Sequence, residues 1–507
     1  MDRVMWIENF EDRIDPEILN VFPYNFLKTN CFIPINGENG EIIIVTNNPL
    51  NLDIGEIKTI LKKDIKIALS SDEKINECIE KFYYHPSSSK KVIDDLSSEE
   101  ILHIEEDINT ETANLLDLAN KAPVIRIVNQ IIYRAISMRA SDIHLQITEN
   151  SLKVRYRIDG ILHDIFVLPK KFHPPIVTRI KIMSNLDIAE KRIPQDGRTS
   201  IKVDGKKIDI RISIIPTFFG ESIVLRLLDR ATFLLGLEEL GFSEDNYKKF
   251  NQLIHCDHGI ILLTGPTGSG KTTTLYAALS KINNPGINIV TLEDPVEYNL
   301  EGINQIQVNH KVGLTFANGL RSILRHDPNV IMVGEIRDKE TAEMAIQASL
   351  TGHLVFSTLH TNDASSAIVR LIDMGIETYL LSSSLIGVMA QRLVRLNCPN
   401  CSIPENPPVE LLSEIGISED EIVNSKFMKG KGCKQCLNEG YYGRTGIFEL
   451  LIIDEGIKEL ILKRASSNDI KKEGLKKGMK TLRMDGIEKV KKGLTTISEV
   501  LRVTQDV

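Results

Sequence analysis

The sequence predicts an α/β protein built around a doubly wound, mostly parallel sheet, which follows an antiparallel α+β domain and a small N-terminal α/β domain. From Gly259 onward, a Gly-rich turn is followed by apolar strands that alternate with helices. Upstream, residues 152–168 and 198–216 alternate apolar and polar side chains around Asp-Gly turns, which is typical of β-hairpins. The chain has 507 residues, more than one hydrophobic core accommodates, so about three domains are expected.

The N-terminal domain is predicted over residues 1–84. Apolar runs at 40–45 and 66–69 indicate strands, and helical spacing at 54–61 and 73–82 indicates helices. A small α/β unit is therefore expected at the start of the chain.

The next segment, residues 85–114, is polar and charge-rich and predicts a linker, with a solvated helical surface as the open alternative. Helical spacing returns at 123–138 and begins a middle domain predicted over 115–235, an α+β unit of the PAS-like type. The parallel-sheet domain is predicted over 236–507, with a cysteine-containing module inserted at 396–446.

The composition is that of an ordinary globular protein, with 42% apolar and 26% charged residues, a net charge of −8 and a pI of about 5.9. The acidic balance argues against a general nucleic-acid binder. No run of about 18 apolar residues is present, and residues 1–16 lack the layout of a signal peptide. We therefore expect a cytoplasmic protein without a transmembrane segment, whose membrane association depends on a partner or on a surface of the protein.

A phosphate-binding loop is predicted between the apolar strand at 260–263 and a helix that begins near Thr273. The segment reads G-x-x-x-x-G-K-T, in which backbone N–H groups close on phosphates and the helix N-terminus adds its positive end. Lys271 is predicted to reach the β- and γ-phosphates of ATP, and Thr272 to place its hydroxyl on Mg²⁺. The predicted nucleotide-binding residues of the loop are Gly265, Pro266, Thr267, Gly268, Ser269, Gly270, Lys271 and Thr272.

A second buried strand, in NVIMVGEIRD, ends at an acid. Glu335 is the candidate for orienting or activating the attacking water, because such a strand lies beside the phosphate loop in this class. Many NTPases have Asp here, often followed by Glu, so the sequence departs from the common pattern. An exposed glutamate at a strand end is the alternative.

A third strand, in INIVTLEDPVEY, ends in the carboxylates Glu293, Asp294 and Glu297. Strand carboxyl ends are where ligands bind in open α/β sheets, so Glu293 and Asp294 are predicted at the nucleotide. Which acid contacts the metal or its water is left open, and a simple turn at Asp294 is the alternative.

A fourth strand, in GHLVFSTLHTND, has His353 near its start and His360 past its end. Seven residues apart, the two side chains would point to opposite faces of one regular strand. His360 is the better candidate for sensing the γ-phosphate, because it lies at the carboxyl end. A structural role stays open for His353.

Four of the seven cysteines form two C-x₂-C pairs. Four thiolates suit tetrahedral Zn²⁺ and leave no open catalytic position, which predicts a structural zinc site. The gap between the pairs is longer than usual, so the loop must bulge out, and a redox CxxC is the alternative. The predicted ligands are Cys398, Cys401, Cys433 and Cys436.

Two groups of arginines could meet phosphates. Arg211 and Arg226 lie in the second hairpin region, and Arg321 and Arg325 precede the strand of Glu335. Arginines from another domain or subunit can stabilise transferring charge. From the residues alone, ordinary surface arginines are the favoured interpretation.

Taken in order, these motifs resemble the secretion and type IV pilus assembly ATPase family, whose core is a RecA-like P-loop ATPase domain. The resemblance covers the loop, TLEDPVEY, LTFANGLRSILRHDPNVIMVGEIRD, TGHLVFSTLHTNDA and the tetracysteine module. It also covers RASDIHLQ, RIPQDGR and the tail TTISEVLRVTQ, and so spans about residues 115–507, with a weaker resemblance in the first domain. YLLSSSLIGVMAQRLVR is most similar to type II secretion ATPases, with pilus-extension ATPases second. Retraction ATPases lack the tetracysteine module.

The resemblance implies a homo-hexamer on the cytoplasmic face of the inner membrane. It implies that the N-terminal domain docks on an inner-membrane assembly-platform protein and that ATP turnover drives pseudopilus assembly and export of folded proteins. It also implies that Arg211 and Arg226 join Glu335, Lys271 and His360 as catalytic residues. It further implies that Arg321 and Arg325 bind the nucleotide and that the four cysteines are zinc ligands.

Two other classes of function remain as alternatives. A nucleic-acid translocase could use the same ATPase core, but the acidic balance and the absence of a basic stripe with interleaved aromatic residues argue against it. A scaffold that only binds nucleotide is disfavoured, because Lys271, Thr272 and Glu335 are all present.

Overall fold

The computed structural model divides the chain into two compact units, Met1–Asp229 and Arg230–Val507. It describes all residues apart from 1–4, 8–9, 20, 23, 38–40, 50–51, 53, 62, 64, 85–118, 120–121, 204–205, 230–234, 409–411, 413–414, 418–420, 423 and 506–507. The predicted linker at 85–114 lies outside the described residues. Among the described helices, none combines the length and apolar character needed to span a membrane.

The first unit begins with a four-stranded sheet in the order β1-β4-β3-β2. Its strands are β1 Met5–Trp6, β2 Phe32–Asn36, β3 Ile42–Thr46 and β4 Ile65–Leu69, and its helices are Pro16–Leu19, Tyr24–Asn30, Ile54–Leu61 and Asp72–Tyr84. Buried aromatic and branched side chains, among them Phe22, Phe32 and Ile44, form its core. The strands and helices predicted in this region are confirmed within one or two residues.

The same unit continues with a six-stranded antiparallel sheet in the order β7-β6-β5-β10-β9-β8. Its strands are β5 Ala140–Ile147, β6 Ser151–Ile158, β7 Ile161–Pro169, β8 Gln195–Val203, β9 Lys206–Thr217 and β10 Gly220–Asp229, and its helices are Ala122–Ser137 and His173–Met183. Both predicted hairpins are present, as β6–β7 and β8–β9. β5 and β10 join them into one sheet.

The second unit is organised around a seven-stranded sheet in the order β13-β12-β14-β15-β11-β16-β19. All neighbouring strands are parallel except β16 and β19, which confirms the predicted doubly wound, mostly parallel sheet. Its seven strands are β11 Gly259–Thr264, β12 Ile289–Glu293, β13 Asn304–Gln307, β14 Val330–Val333, β15 Leu354–Leu359, β16 Leu385–Asn397 and β19 Tyr441–Ile452. A separate two-stranded sheet consists of β17 Ser402–Pro404 and β18 Met428–Gly430.

Helices cover both faces of this sheet. They are Glu244–Leu253, Lys271–Ile282, Phe316–Ile323, Lys339–Leu350, Ala364–Asp373, Thr378–Ser384, Glu455–Leu462, Ser467–Lys476, Leu482–Lys491 and Ile497–Val503. Alternate residues of β11 enter opposite cores, with Leu262 on one face and Leu263 on the other. Burial on both faces explains why the strands read as continuous apolar runs, and it places their carboxyl ends at one edge.

Candidate nucleotide-binding site and metal centre

The phosphate loop begins where the fully buried strand β11 ends. Three of its glycines, at 265, 268 and 270, have φ angles of 144°, 79° and 89°, a region that side chains disfavour. A Cβ on Gly265 would lie 2.5 Å from the backbone oxygen of Gln391, and one on Gly270 would lie 2.8 Å from the Gln391 Nε2. The loop therefore needs glycine for backbone geometry and for close packing against β16.

Lys271 opens the helix Lys271–Ile282, here called the loop helix. Its Nζ donates to the backbone oxygens of Gly265 at 2.7 Å and Pro266 at 3.1 Å. Burial lowers the pKa of Lys271 to about 8, while Glu335 acts to raise it and Arg392 to lower it. Because burial disfavours the ammonium, a negative phosphate in the loop would offset that cost.

The atoms of the loop fit a nucleoside triphosphate. The Ser269 Oγ is buried and has no hydrogen-bond partner among the described residues. Thr272 is exposed in the first turn of the loop helix, whose N–H groups are suited to an anion. Lys271 and Ser269 would hold phosphate oxygens, and Thr272 would hold a phosphate-bound Mg²⁺.

Glu335 lies just after β14, and two partners contact its carboxylate. Its Oε1 is ion-paired with Arg337, and its Oε2 lies 3.4 Å from the His360 Nε2. The hydrogen bond with Glu335 raises the pKa of Arg337. Backbone bonds fix the acid: the Gly334 N–H donates to Leu292, and the Gly334 oxygen accepts from the Thr358 hydroxyl. The ends of β14 and β15 thus bring Glu335 and His360 together at the carboxyl edge of the sheet.

Arg337 belongs to the quoted GEIRD segment, but no role was predicted for it. Its spacing of two residues from Glu335 is the sequence signal that could have paired them. An arginine that is ion-paired with the acid fixes the orientation of its carboxylate.

The two acids at the end of β12 have different surroundings. Glu293 is 4% exposed, and its carboxylate accepts hydrogen bonds from the hydroxyls of Tyr276 and Thr291 and from the Gln305 amide. Burial raises the pKa of Tyr276, and the negative charge of Glu293 adds to the shift. Glu293, at the end of β12, therefore links the loop helix to the sheet through its bond with Tyr276.

Asp294 is the more accessible of these acids. Its Oδ2 lies 3.5 Å from the Nε2 of His310, and its charge contributes to the raised pKa of Arg337. Of the acids predicted here, Asp294 has the surroundings better suited to a ligand. The nucleotide-contact roles of both acids stay predictions.

The two histidines of the fourth strand occupy opposite ends of β15. The His353 Nδ1 lies 2.8 Å from the Ala348 oxygen and 3.1 Å from the Thr351 hydroxyl, at the end of the preceding helix. His360 lies beside Glu335. The geometry favours the structural interpretation of His353 and brings His360 to the candidate site.

The segment after His360 is tied to the loop strand and to β16. The hydroxyls of Thr264 and Thr361 lie 2.7 Å apart, and the Asn362 Oδ1 accepts from the Arg392 Nη2 at 2.9 Å. On the other face of β16, the Gln391 Oε1 accepts from the Thr274 hydroxyl at 2.8 Å. None of these residues was predicted as a site residue, because their pairings span 97, 30 and 117 positions of the chain.

The four candidate arginines lie in different places. Arg321 bonds to Asn318 and to Glu340, each at 3.0 Å, and Arg325 donates to the Arg321 oxygen at 2.9 Å. These contacts are within and between helices rather than with the phosphate loop. Arg211 and Arg226 belong to the first unit, Met1–Asp229. The phosphate-binding roles of all four stay predictions.

The four cysteine sulphurs of the module converge. All lie within 4.8 Å of one another, with 3.8 Å between Cys398 and Cys433 and between Cys401 and Cys436. Four ligands at about 2.3 Å around a tetrahedral Zn²⁺ require sulphur separations of about 3.8 Å. Backbone N–H groups of Gly432 and Gly440 approach two of the sulphurs at 3.3 Å, which suits thiolates. The residues fit structural zinc.

A family profile described as Type II/IV secretion system protein matches residues 117–502, and a profile of the MshEN domain matches residues 4–89. The chain is 47% identical to the Type II secretion system protein E of Pseudomonas aeruginosa, over 89% of this chain and 90% of that protein. It is 42% identical to the Type IV pilus assembly ATPase PilB of Myxococcus xanthus, over 96% of this chain and 87% of that protein.

Among solved structures, the chain is similar to the pilus retraction motor PilT with bound ADP. The two share 29% identity with a TM-score of 0.51, over 74% of this chain and 96% of that one. The likeness confirms the RecA-like ATPase fold.

Proposed function

The chain belongs to the Type II/IV secretion system protein family and is an ATP-hydrolysing enzyme of it, and we propose that it is the motor ATPase of type II protein secretion. The observation that carries this proposal is its similarity to a type II secretion protein over nine-tenths of both chains, joined to a complete phosphate loop with Glu335 beside it. Turnover would drive pseudopilus assembly and export of folded proteins across the outer membrane.

The chemistry proposed is in-line attack of water on the γ-phosphorus. Glu335 orients the water and accepts its proton, Lys271 binds the β- and γ-phosphates, and His360 reports the γ-phosphate through its contact with Glu335. When bound with ATP, Mg²⁺ on Thr272 supplies neutralising charge. Arg211, Arg226, Arg321 and Arg325 are proposed to stabilise charge on the phosphates.

The assembly proposed is a homo-hexamer held peripherally on the cytoplasmic face of the inner membrane. The N-terminal domain, residues 1–84, would dock on assembly-platform proteins there. The middle domain, residues 115–235, would move against the ATPase domain, residues 236–507, during turnover. No nucleic acid is expected as a partner, so neither single- nor double-stranded DNA should stimulate hydrolysis.

A second candidate is the extension motor of a type IV pilus. Its support is the similarity to a pilus assembly ATPase over nearly the whole chain. Both candidates use the same chemistry and differ in the membrane partner that the motor serves.

Complementation separates the two candidates. The full-length chain is expressed, each time with its own inner-membrane platform proteins, in one host that lacks its type II secretion ATPase and in another that lacks its pilus-extension ATPase. We expect a folded marker protein to reach the medium in the first host and no restored pili in the second, with Lys271→Ala inactive throughout. Restored pili without secretion would favour the second candidate.

A further inference from the structure

Gln391 is the residue of β16 that lies beside the start of the phosphate loop. The pairing of β11 with β16 ends at Thr264 and Ala390, so the next residue along each chain segment is Gly265 on one side and Gln391 on the other. The Gln391 side chain is buried, with 2% of the residue exposed. Gln391 therefore belongs to the wall of the protein interior on which the loop packs.

This single residue meets both ends of the loop. A Cβ on Gly265 would lie 2.5 Å from the backbone oxygen of Gln391, and a Cβ on Gly270 would lie 2.8 Å from its Nε2. Both glycines thus rest directly on Gln391, one on its backbone and the other on its side-chain amide. Because protein interiors are close-packed, a displacement of Gln391 would be transmitted to the loop.

A hydrogen bond fixes the direction of the Gln391 side chain. Its Oε1 accepts from the hydroxyl of Thr274 at 2.8 Å, and Thr274 is fully buried in the first turn of the loop helix. The Thr274 N–H donates to the Gly270 oxygen at 3.0 Å, which ties this threonine to the end of the loop. Buried polar groups are costly to leave unsatisfied, so this bond holds the amide with its Oε1 toward Thr274 and its Nε2 toward Gly270.

We propose that Gln391 is a positioning residue for nucleotide binding, which holds the empty phosphate loop in the arrangement that accepts phosphates. The proposal rests on the proposed function, in which residues 265–272 bind the phosphates of ATP. When only a fraction of the molecules has a competent loop, the apparent affinity for the nucleotide is reduced by that fraction. Loss of the bond between Gln391 and Thr274 should therefore weaken nucleotide binding.

A purely structural role for this bond has a different consequence. A bond that only joins β16 to the loop helix would change the free energy of unfolding and leave the folded loop unaltered. Replacing both partners by apolar groups of similar shape restores much of the stability that is lost when one partner is removed. An apolar pair nevertheless lacks the directionality of a hydrogen bond. The double variant Gln391→Met with Thr274→Val therefore separates positioning of the loop from stability.

The test measures ADP affinity, together with kcat and KM for ATP, on the full-length chain, and Tm in parallel. Gln391→Met and Thr274→Val should each weaken ADP binding and raise KM by about tenfold, the effect of one buried hydrogen bond. The value of kcat should change little, because bound nucleotide holds the loop in its competent arrangement. Thr274→Ser keeps the hydroxyl and should bind ADP like the wild type.

In the double variant, Tm should recover toward the wild-type value while ADP affinity stays as low as in the weaker single variant, because the same bond is broken in each. Thr495→Val is the matched control. Thr495 is fully buried, and its hydroxyl donates to the Arg395 oxygen at 2.7 Å, farther along the same strand β16. This control should lower Tm and leave ADP affinity unchanged.

Wild-type ADP affinity in Thr274→Val, or recovery of ADP affinity together with Tm in the double variant, would overturn the positioning role. Lys271→Ala tests the proposed site separately. If Lys271→Ala binds ADP as tightly as the wild type, the loop is not the nucleotide site and this inference fails with it. If Lys271→Ala weakens ADP binding and the Gln391 and Thr274 variants do not, only the role of Gln391 fails.

Discussion

The phosphate loop and the cysteine module are both glycine-containing segments of the second unit, yet they are held in different ways. The loop extends from a strand buried on both faces and packs against β16, so a large core fixes its shape. The module has the short strands β17 and β18, three residues each, and four converging sulphurs. Loss of the nucleotide should therefore stop chemistry at the loop without unfolding it, whereas loss of the metal should unfold the module locally.

The largest effect is expected from substitution of Lys271. Lys271→Ala removes the cation that binds the β- and γ-phosphates, so turnover should fall by about 100- to 1000-fold, while Tm changes little because a buried, partly desolvated charge is removed. The measurement is steady-state phosphate release together with a thermal melt.

Lys281→Ala, at the other end of the loop helix, is the matched control, because Lys281 pairs with Glu238 at the surface. It should hydrolyse ATP like the wild type. Wild-type hydrolysis by Lys271→Ala would mean that another site carries the activity.

Glu335→Gln should separate ATP binding from ATP hydrolysis at the same site. The amide cannot accept the proton of water, so kcat should fall by about 100-fold or more while the affinity for ATP is retained. Equilibrium binding of a fluorescent nucleotide, measured beside turnover, checks both parts.

Glu343→Gln provides the control, since Glu343 pairs with Lys339 within the neighbouring helix. If Glu335→Gln turns over normally, Asp294 becomes the next candidate for the acid.

The zinc module should respond in the opposite way to the loop. Purified protein should contain about one zinc per chain, and Cys398→Ser should lose it, because a ligand must be a thiolate. Limited proteolysis should then cut within residues 398–440, while nucleotide affinity stays within about threefold, because additivity holds for independent sites.

Metal analysis and proteolysis check this prediction, with Cys256→Ser as the control cysteine. Zinc absent from freshly purified wild-type protein would refute the site. Loss of nucleotide binding in Cys398→Ser would instead refute the independence of the two regions.

The smallest effect on kcat is expected from the hydrogen bond that joins the segment after His360 to β16. Asn362→Ala removes the acceptor for Arg392 from the segment that follows His360. We expect kcat to fall by about three- to tenfold, which corresponds to about 1 kcal/mol, the usual net contribution of one hydrogen bond. Steady-state kinetics measure it.

Asn304→Ala, on the edge strand β13, is the control for Asn362. Unchanged kcat in Asn362→Ala would show that the tie to β16 does not position His360.

Local patterns account for most of what could be predicted. The apolar run of β11, the glycines of the loop and the C-x₂-C spacing each encode a structure within a few residues, because backbone geometry and metal ligation are local requirements. The pairing of Arg337 with Glu335 was missed although both residues stand in one motif.

Long-range pairings were beyond such patterns. The contacts of Gln391 with Thr274 and of Arg392 with Asn362 depend on the order of strands in the sheet. The orientation of Glu293 toward Tyr276 likewise depends on which helix covers that face. Strand ends can be read from a sequence, but the partner that a side chain meets across the sheet is decided by topology.

A single-turnover experiment shows directly whether ATP bound by this protein is hydrolysed with the help of Glu335. The full-length protein, in excess over radiolabelled ATP with Mg²⁺, is quenched over time and the bound nucleotide is separated. We predict that the wild type converts its bound ATP to ADP and that Glu335→Gln binds the same amount but retains it as ATP. Intact ATP on the wild type, or equal ADP formation in both proteins, would contradict hydrolysis at the edge where Lys271, Glu335 and His360 meet.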